Sequence, residues 1–281
     1  MADVSAKDVA ALRKVTGAGM MDCKRALLEN DGDFERAKDW LREKGIAGAA
    51  KREGRAADQG AVEVLVTDDV GAVVELNCET DFVAKGEAFG RALAALTRLV
   101  VDEGDTDIGA KKIDGETVDD YIKGLSGTLG EKIELGRVFR FATTDGLLDG
   151  YKHIQNDRGT VGVLVELGGV DRGDKRAREV AHDIALHIAS AAPRYVTRDE
   201  VPAEVVARER DIFEAQTREE GKPEQAWPKI NEGKLNGFYK TVVLLEQSFV
   251  KDNKQTIDAV VKSLGPEAHV RGFARVKIGE E

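Results

Sequence analysis

Gly71-Ala72-Val73-Val74-Glu75-Leu76 recurs 91 residues further on as Gly162-Val163-Leu164-Val165-Glu166-Leu167, with four identities and two apolar exchanges. Both runs read as strands. Carried on without a gap, the offset sets Phe89 on Val180, Leu93 on Ile184 and Thr97 on Ile188. In the first copy Phe89, Leu93, Leu96 and Val100 form the apolar stripe of an amphipathic helix. Residues 61–66, set off by Thr67-Asp68-Asp69-Val70, supply the other arm of a hairpin, with a counterpart at 151–154. A repeated hairpin-plus-helix unit predicts an α+β body of small antiparallel sheets packed with helices.

Ahead of this body, residues 5–45 carry three sets of helix signals. Ser5 with Asp8 resembles a capping box, and Val9, Leu12 and Val15 follow at helical spacing. Thr16-Gly17-Ala18-Gly19 breaks that helix, and a second runs over 21–28 with Cys23, Ala26 and Leu27 on one side. Asn30-Asp31-Gly32 ends it. Asp33 caps a third helix whose buried face is Phe34, Ala37, Trp40 and Leu41. Gly17-Ala18-Gly19 is not a dinucleotide fingerprint, because it follows a helix and lacks the third glycine. Met20 and Met21 point in different directions, so one narrow core stripe cannot take both. Packing of both is the default reading, whereas an exposed methionine there suits an adaptable protein-binding surface. Residues 45–60, rich in Gly and Ala, read as a linker whose Lys51, Arg52 and Arg55 form a solvated basic cluster. The expected divisions are 1–55, 56–145 and 146–281.

The 281 residues carry a net charge of −10, which argues against a protein whose main work is gripping phosphate backbones. With 12 Lys and Arg against 10 Asp and Glu, residues 1–55 are net +2, leaving −12 on the rest. Two cysteines, Cys23 and Cys78, make no disulfide framework, and no apolar run approaches a membrane span. Residues 1–5 lack the basic start and apolar stretch of a secretory signal, so a cytoplasmic location is expected.

The two copies disagree after the repeated strand. The second continues into Gly168-Gly169-Val170-Asp171-Arg172-Gly173-Asp174, a polar turn; the first continues into Asn77-Cys78-Glu79-Thr80-Asp81-Phe82-Val83. Leaving Phe82 and Val83 in water forgoes about 1.5–3 kcal/mol each. Two readings stand. Both side chains fold back under the helix, or Phe82 projects as an anchor for a partner with Asp81 as a charged probe beside it.

The string from Asn77 to Ala84 resembles a signature of the bacterial elongation factor Ts family. So do Thr16-Gly17-Ala18-Gly19-Met20-Met21-Asp22-Cys23-Lys24 and Leu244-Leu245-Glu246-Gln247-Ser248-Phe249-Val250-Lys251-Asp252, in the family's order and spacing. The likeness covers essentially the whole chain. It implies a nucleotide-exchange factor for elongation factor Tu, with no cofactor of its own and no direct nucleic-acid contact. It implies a UBA-like helical module docking on the GTPase domain through Arg13, Met20 and Met21. The Thr80-Asp81-Phe82-Val83 loop is then the exchange element: Phe82 wedges between helices of that domain and Asp81 approaches the region holding Mg²⁺. His153 sits near a contact with another domain of the partner, although residues 154–158 depart from the family's glycine-rich spacing after it. Ser248 replaces a proline common in the third motif. Some members continue beyond the position of Glu281 into a further helical module, whose contact is not assigned here.

All five prolines lie at or after Pro193, four of them before residue 230, and residues 193–237 read as an inserted helical hairpin. Val205, Val206, Glu209, Ile212 and Phe213 describe one arm; Gly221-Lys222-Pro223 turns; Trp227, Ile230, Phe238 and Val242 describe the other. The resemblance implies a coiled-coil-like projection that serves partner or self contacts. A helix over 256–264 and a strand over 269–278 close the chain. Catalytic signals are thin: His182 and His187 are five apart, not the four of a zinc pair, and His187 reads as a satisfied helix residue. The competing expectation is an acidic RNA- or ribosome-associated binding protein without exchange activity, motivated by the basic linker and opposed by the net charge.

Overall fold

The computed structural model describes residues 4–16, 18–49, 52, 54–221 and 223–280. Gly17, Lys51 and Lys222, part of the expected helix break, basic cluster and hairpin turn, lie outside the described residues. The first three helices are α1 (Ala6–Thr16), α2 (Met20–Glu29) and α3 (Phe34–Ala49). Ser5 and Asp8 form the reciprocal cap: the Ser5 N–H donates to Asp8 Oδ2 at 3.2 Å, and the Asp8 N–H donates to Ser5 Oγ at 3.2 Å. Leu12, Cys23, Ala26, Leu27 and Ala37 fill the core of the bundle. Helix α3 runs five residues into the stretch expected as linker. Its Ala47 and Ala49 are strong helix formers, although Gly45 and Gly48 are not.

The body follows as β1 (Gln59–Val66), β2 (Val70–Cys78), the single turn α4 (Asp81–Ala84) and α5 (Glu87–Glu103). Next come the short pair β3 (Lys112–Ile113) and β4 (Glu116–Thr117), then α6 (Val118–Leu129) and β5 (Ile133–Ala142). The second copy comprises β6 (Leu147–Gln155), β7 (Arg158–Gly168) and α7 (Lys175–Ala191). After the hairpin α8 (Ala203–Glu219) and α9 (Trp227–Val242) come β8 (Ser248–Phe249) and β9 (Asp252–Thr256). Helix α10 (Ile257–Lys262) and β10 (His269–Lys277) end the fold.

Each copy builds one antiparallel sheet with the repeated strand in the middle: β1-β2-β5 and β6-β7-β10. On one face Ala72, Val74 and Leu76 pack against Phe89, Leu93 and Leu96 of α5. In the other copy Val163, Val165 and Leu167 pack against Ala181, Ile184 and Ile188 of α7. The opposite faces meet each other through Val62, Val73, Leu164, Ala274 and Val276. This contact explains the glycine that opens each repeat. A Cβ on Gly71 would lie 2.5 Å from the Leu164 side chain, and one on Gly162 would lie 2.4 Å from that of Val62. The repeated glutamates face the same way and pair alike. Glu75 is bidentate with Arg137 of β5 at 2.8 and 2.9 Å, and Glu166 meets Arg271 of β10 at 3.0 Å, each beside a bulge in the ladder.

Helix α3 lies along α6, with Arg42 paired to Glu116, so the helical module is seated on the first copy. The hairpin α8–α9 is rooted by Val201, Val242 and Val243 and by Arg198, which pairs with Glu246 and stacks 4.3 Å from the Tyr239 ring. The α+β architecture with its helical module, duplicated sheets and helical hairpin thus matches the expectation. Residues 104–145 went unread, because the short pair β3–β4 and the half-exposed β5 give no clean periodicity.

Candidate functional site

The first strand-to-helix junction is where the copies diverge. Strand β2 ends at Cys78, and Thr80 caps α4: its Oγ1 accepts the Val83 N–H at 3.3 Å and its carbonyl accepts the Ala84 N–H at 3.3 Å. Four residues of helix do not stabilise themselves, so this turn depends on its anchors. The Val83 side chain turns inward against the core of Phe89 and Leu93, while Phe82 is 83 % exposed. Of the two open readings, the inward fold holds for Val83 alone, and Phe82 projects from the surface. The local cause is the helical turn, which sends adjacent side chains in different directions.

Asp81 stands beside Phe82 at the first position of the turn, and Lys85 Nζ lies 2.6 Å from its Oδ2. The hydrogen bond from Lys85 holds the Asp81 carboxyl below the usual aspartate range, so it is ionised at neutral pH. The preceding Glu79 accepts the Lys132 backbone N–H at 2.7 Å, which keeps its own carboxyl low, with Arg55 adding to the effect from 3.2 Å. Arg55 is thus tied to this site while remaining exposed, as the linker reading had it.

The other sequence-derived residues lie on separate elements. Arg13 sits in the last turn of α1 and is exposed; Met20 and Met21 open α2 at 56 % and 68 % exposure. His153 is exposed on β6, its Nδ1 3.0 Å from the Tyr151 hydroxyl. The turn after it is the two-residue Asn156-Asp157, both with left-handed φ of +52° and +62°. That turn brings Ile154, Asp157 and Arg158 opposite Ala84, Lys85 and Gly86 across a groove of about 430 Å³. His153 itself does not line the groove; Ile154, 62 % exposed, does.

Sequence reasoning missed Lys85 and Glu131. The i,i+4 spacing of Asp81 and Lys85 was a readable signal. Glu131, 51 residues from the Thr80 it binds, carried none.

No chemistry of bond making is assembled nearby. Cys78 donates its thiol to the Thr80 carbonyl at 3.1 Å, and burial pushes that thiol up to about 12. His187 is buried, with Nε2 2.8 Å from Gln247 Oε1 and Nδ1 facing the Val250 N–H, as a neutral core histidine. Among the described residues no group of three or more His, Cys, Asp or Glu is placed to hold a metal ion, and no helix is long and apolar enough to cross a membrane. A cleft of about 960 Å³ between the copies contains Lys152, Arg172 and Arg178. Lys152 is bound to Glu63, Arg172 to Asp69, and Arg178 to the Arg172 carbonyl.

Residues 79–280 match the family model described as Elongation factor TS. The elongation factor Ts of Thermobifida fusca is 48 % identical over 288 residues, spanning 100 % of both chains. Those of Micrococcus luteus and Streptomyces coelicolor are 46 % and 45 % identical, covering 99 % of this chain and 100 % of the relative. With an exposed Phe82 on a capped turn, a buried and unreactive Cys78, and this likeness along its whole length, the chain belongs to the elongation factor Ts family of translation elongation factors.

Proposed function

We propose that this chain is a guanine-nucleotide exchange factor that binds elongation factor Tu in its GDP-bound form and promotes GDP release by inserting the Thr80-Asp81-Phe82-Val83 turn near the Mg²⁺ and nucleotide site. The observation that carries the reading is the exposed Phe82 beside an ionised Asp81 on a turn anchored at its start. A phenyl ring held out in water has a stake in binding that it does not have in folding. Tight GDP binding relies on Mg²⁺ and on backbone N–H groups around the phosphates. A protein accelerates release only by binding the nucleotide-free state more tightly than the nucleotide-bound one. Each 1.4 kcal/mol of that difference weakens nucleotide binding about tenfold, and the effect is reciprocal. The apolar ring supplies binding energy, and the carboxylate disfavours the existing arrangement around the metal. Neither group makes a covalent bond.

Arg13, Met20 and Met21 hold the partner's GTPase domain in this reading, and His153 or its neighbour Ile154 meets a second domain. The test is release of fluorescent GDP from elongation factor Tu in the presence of the chain, then of the Asp81→Ala/Phe82→Ala double variant. Acceleration by the wild type and its loss in the double variant is expected. Undiminished acceleration by the double variant would refute the loop mechanism, and none by the wild type would refute the function.

A further inference from the structure

Past the last ladder pair of β2 and β5, Cys78 opposite Ile133, the two strands stay joined through carboxylates instead of backbone. Glu79 Oε1 accepts the N–H of Lys132 at 2.7 Å, and Glu131 Oε2 accepts the N–H of Thr80 at 2.9 Å. Each glutamate thus takes the amide of the residue beside the other. The second oxygen of Glu131 accepts the Thr80 hydroxyl at 2.5 Å. Glu131 is itself fixed. Its carbonyl accepts the hydroxyl of the buried Ser126 at 2.5 Å, and Gly130, at φ +79°, ends α6 directly before it. Thr80 consequently has its N–H, hydroxyl and carbonyl all engaged.

We propose that Glu131 is a positioning residue for the exchange turn: its two-point grip on Thr80 fixes the cap from which α4 starts, and with it the direction in which Asp81 and Phe82 leave the surface. The inference rests on the exchange reading above and adds to it a residue that never touches the partner. A one-turn helix has no orientation of its own, because its nucleation cost is not recovered by propagation. Val83 and the buried Ala84 hold the inner side of the turn, while strand β2 ends at Cys78 and Gly86 separates α4 from α5, so the anchor at Thr80 fixes where the turn starts. A preorganised turn avoids an ordering cost at the moment of insertion.

Glu131→Gln keeps the size and replaces one accepting oxygen with an amino group that cannot accept. Backbone hydrogen exchange at residues 83–86 is expected to accelerate about fivefold, the factor associated with loss of a helix cap. In GDP release from elongation factor Tu, the maximal rate at saturating protein is expected to fall by a similar factor while the half-saturating concentration holds. Other contacts supply docking, and the turn acts in the release step. A merely structural role gives the opposite split, since a partly unfolded sample raises the half-saturating concentration and spares the maximum. Glu79→Gln, which weakens the other half of the strap, is expected to act in the same direction. A Glu131→Gln variant with unchanged hydrogen exchange and a maximal rate within about twofold of wild type overturns the assignment of Glu131 alone. A wild-type chain that does not accelerate release overturns the exchange reading and any role for Glu131 in it.

Discussion

Phe82 and Phe89 lie seven residues apart and are predicted to fail in opposite ways. Phe82 is 83 % exposed and Phe89 fully buried. Full burial of a phenylalanine is worth about 1.5–3 kcal/mol, so the buried fraction of Phe82 contributes at most about 0.5 kcal/mol to folding. Phe82→Ala therefore leaves the urea midpoint nearly in place. If its exposed area is covered in the complex, the ring supplies roughly 1.2–2.5 kcal/mol of binding, or about 7- to 60-fold in the efficiency of GDP release. Phe89→Ala instead empties a site against Leu93, Leu96 and the sheet, and costs about 3–5 kcal/mol of stability. The assay pairs urea unfolding by circular dichroism with stopped-flow GDP release from elongation factor Tu, run below the unfolding transition of both variants. A Phe82→Ala protein destabilised by more than about 1 kcal/mol would show that the ring is packed, contrary to the geometry. A stable Phe82→Ala protein that exchanges within about twofold of wild type would show that the ring is exposed without purpose.

Glu75→Ala, which strips a bidentate partner from the half-buried Arg137, is expected to cost about 2–3 kcal/mol in urea unfolding while leaving the chain folded. Gly169→Ala is expected to cost about 2–4 kcal/mol, because the residue has φ +68° and its Cβ would come within 2.0 Å of the Glu267 carbonyl oxygen. Burial lowers the proton affinity of His187 below its ordinary value of 6.5, so the unfolded chain binds the proton more readily than the folded one. Stability is then lost as the pH falls from 6.5 through the folded-state pKa, and His187→Gln should flatten that part of the profile, measured as urea midpoint against pH.

The features legible in the sequence were those with local causes. The 91-residue offset exposed the duplication, because each copy needs the same glycine where the sheets meet and the same alternation to serve one helix and one neighbouring sheet. The Ser5–Asp8 cap, the α8–α9 hairpin and the exposed Met20 and Met21 were equally local. The turn itself was readable as an oddity. What Phe82 and Val83 each do was not, since that depends on a four-residue helix rotating one inward and one outward. Glu131 escaped altogether, and Arg55 was legible as a basic residue but not as the partner of Glu79. Their partners are distant in sequence, and a glutamate after a helix-ending glycine has the same local appearance whether it faces water or grips a threonine. Helix α3 continues to Ala49 through two glycines that read as the start of a linker.

The duplication also frames why one junction projects a phenylalanine and the other does not. In both copies the chain leaves the middle strand for a helix, and in both a returning segment enters the third strand beside it. In the second copy that segment comes so close that Gly168 and Gly169 have no room for a side chain against His269, Arg271 and Glu267. Asp174 then caps α7 directly, its Oδ1 accepting the Arg176 N–H at 2.9 Å. The Glu267 backbone and the His269 and Arg271 side chains fill that space. In the first copy the returning segment stands off by the length of a glutamate, and the gap is spanned by the Glu79 and Glu131 carboxylates. That spacing admits one extra helical turn, held at its start and free at its outer face. The duplicated scaffold thus carries the projecting turn at one junction, where two carboxylates span the gap between the strand ends.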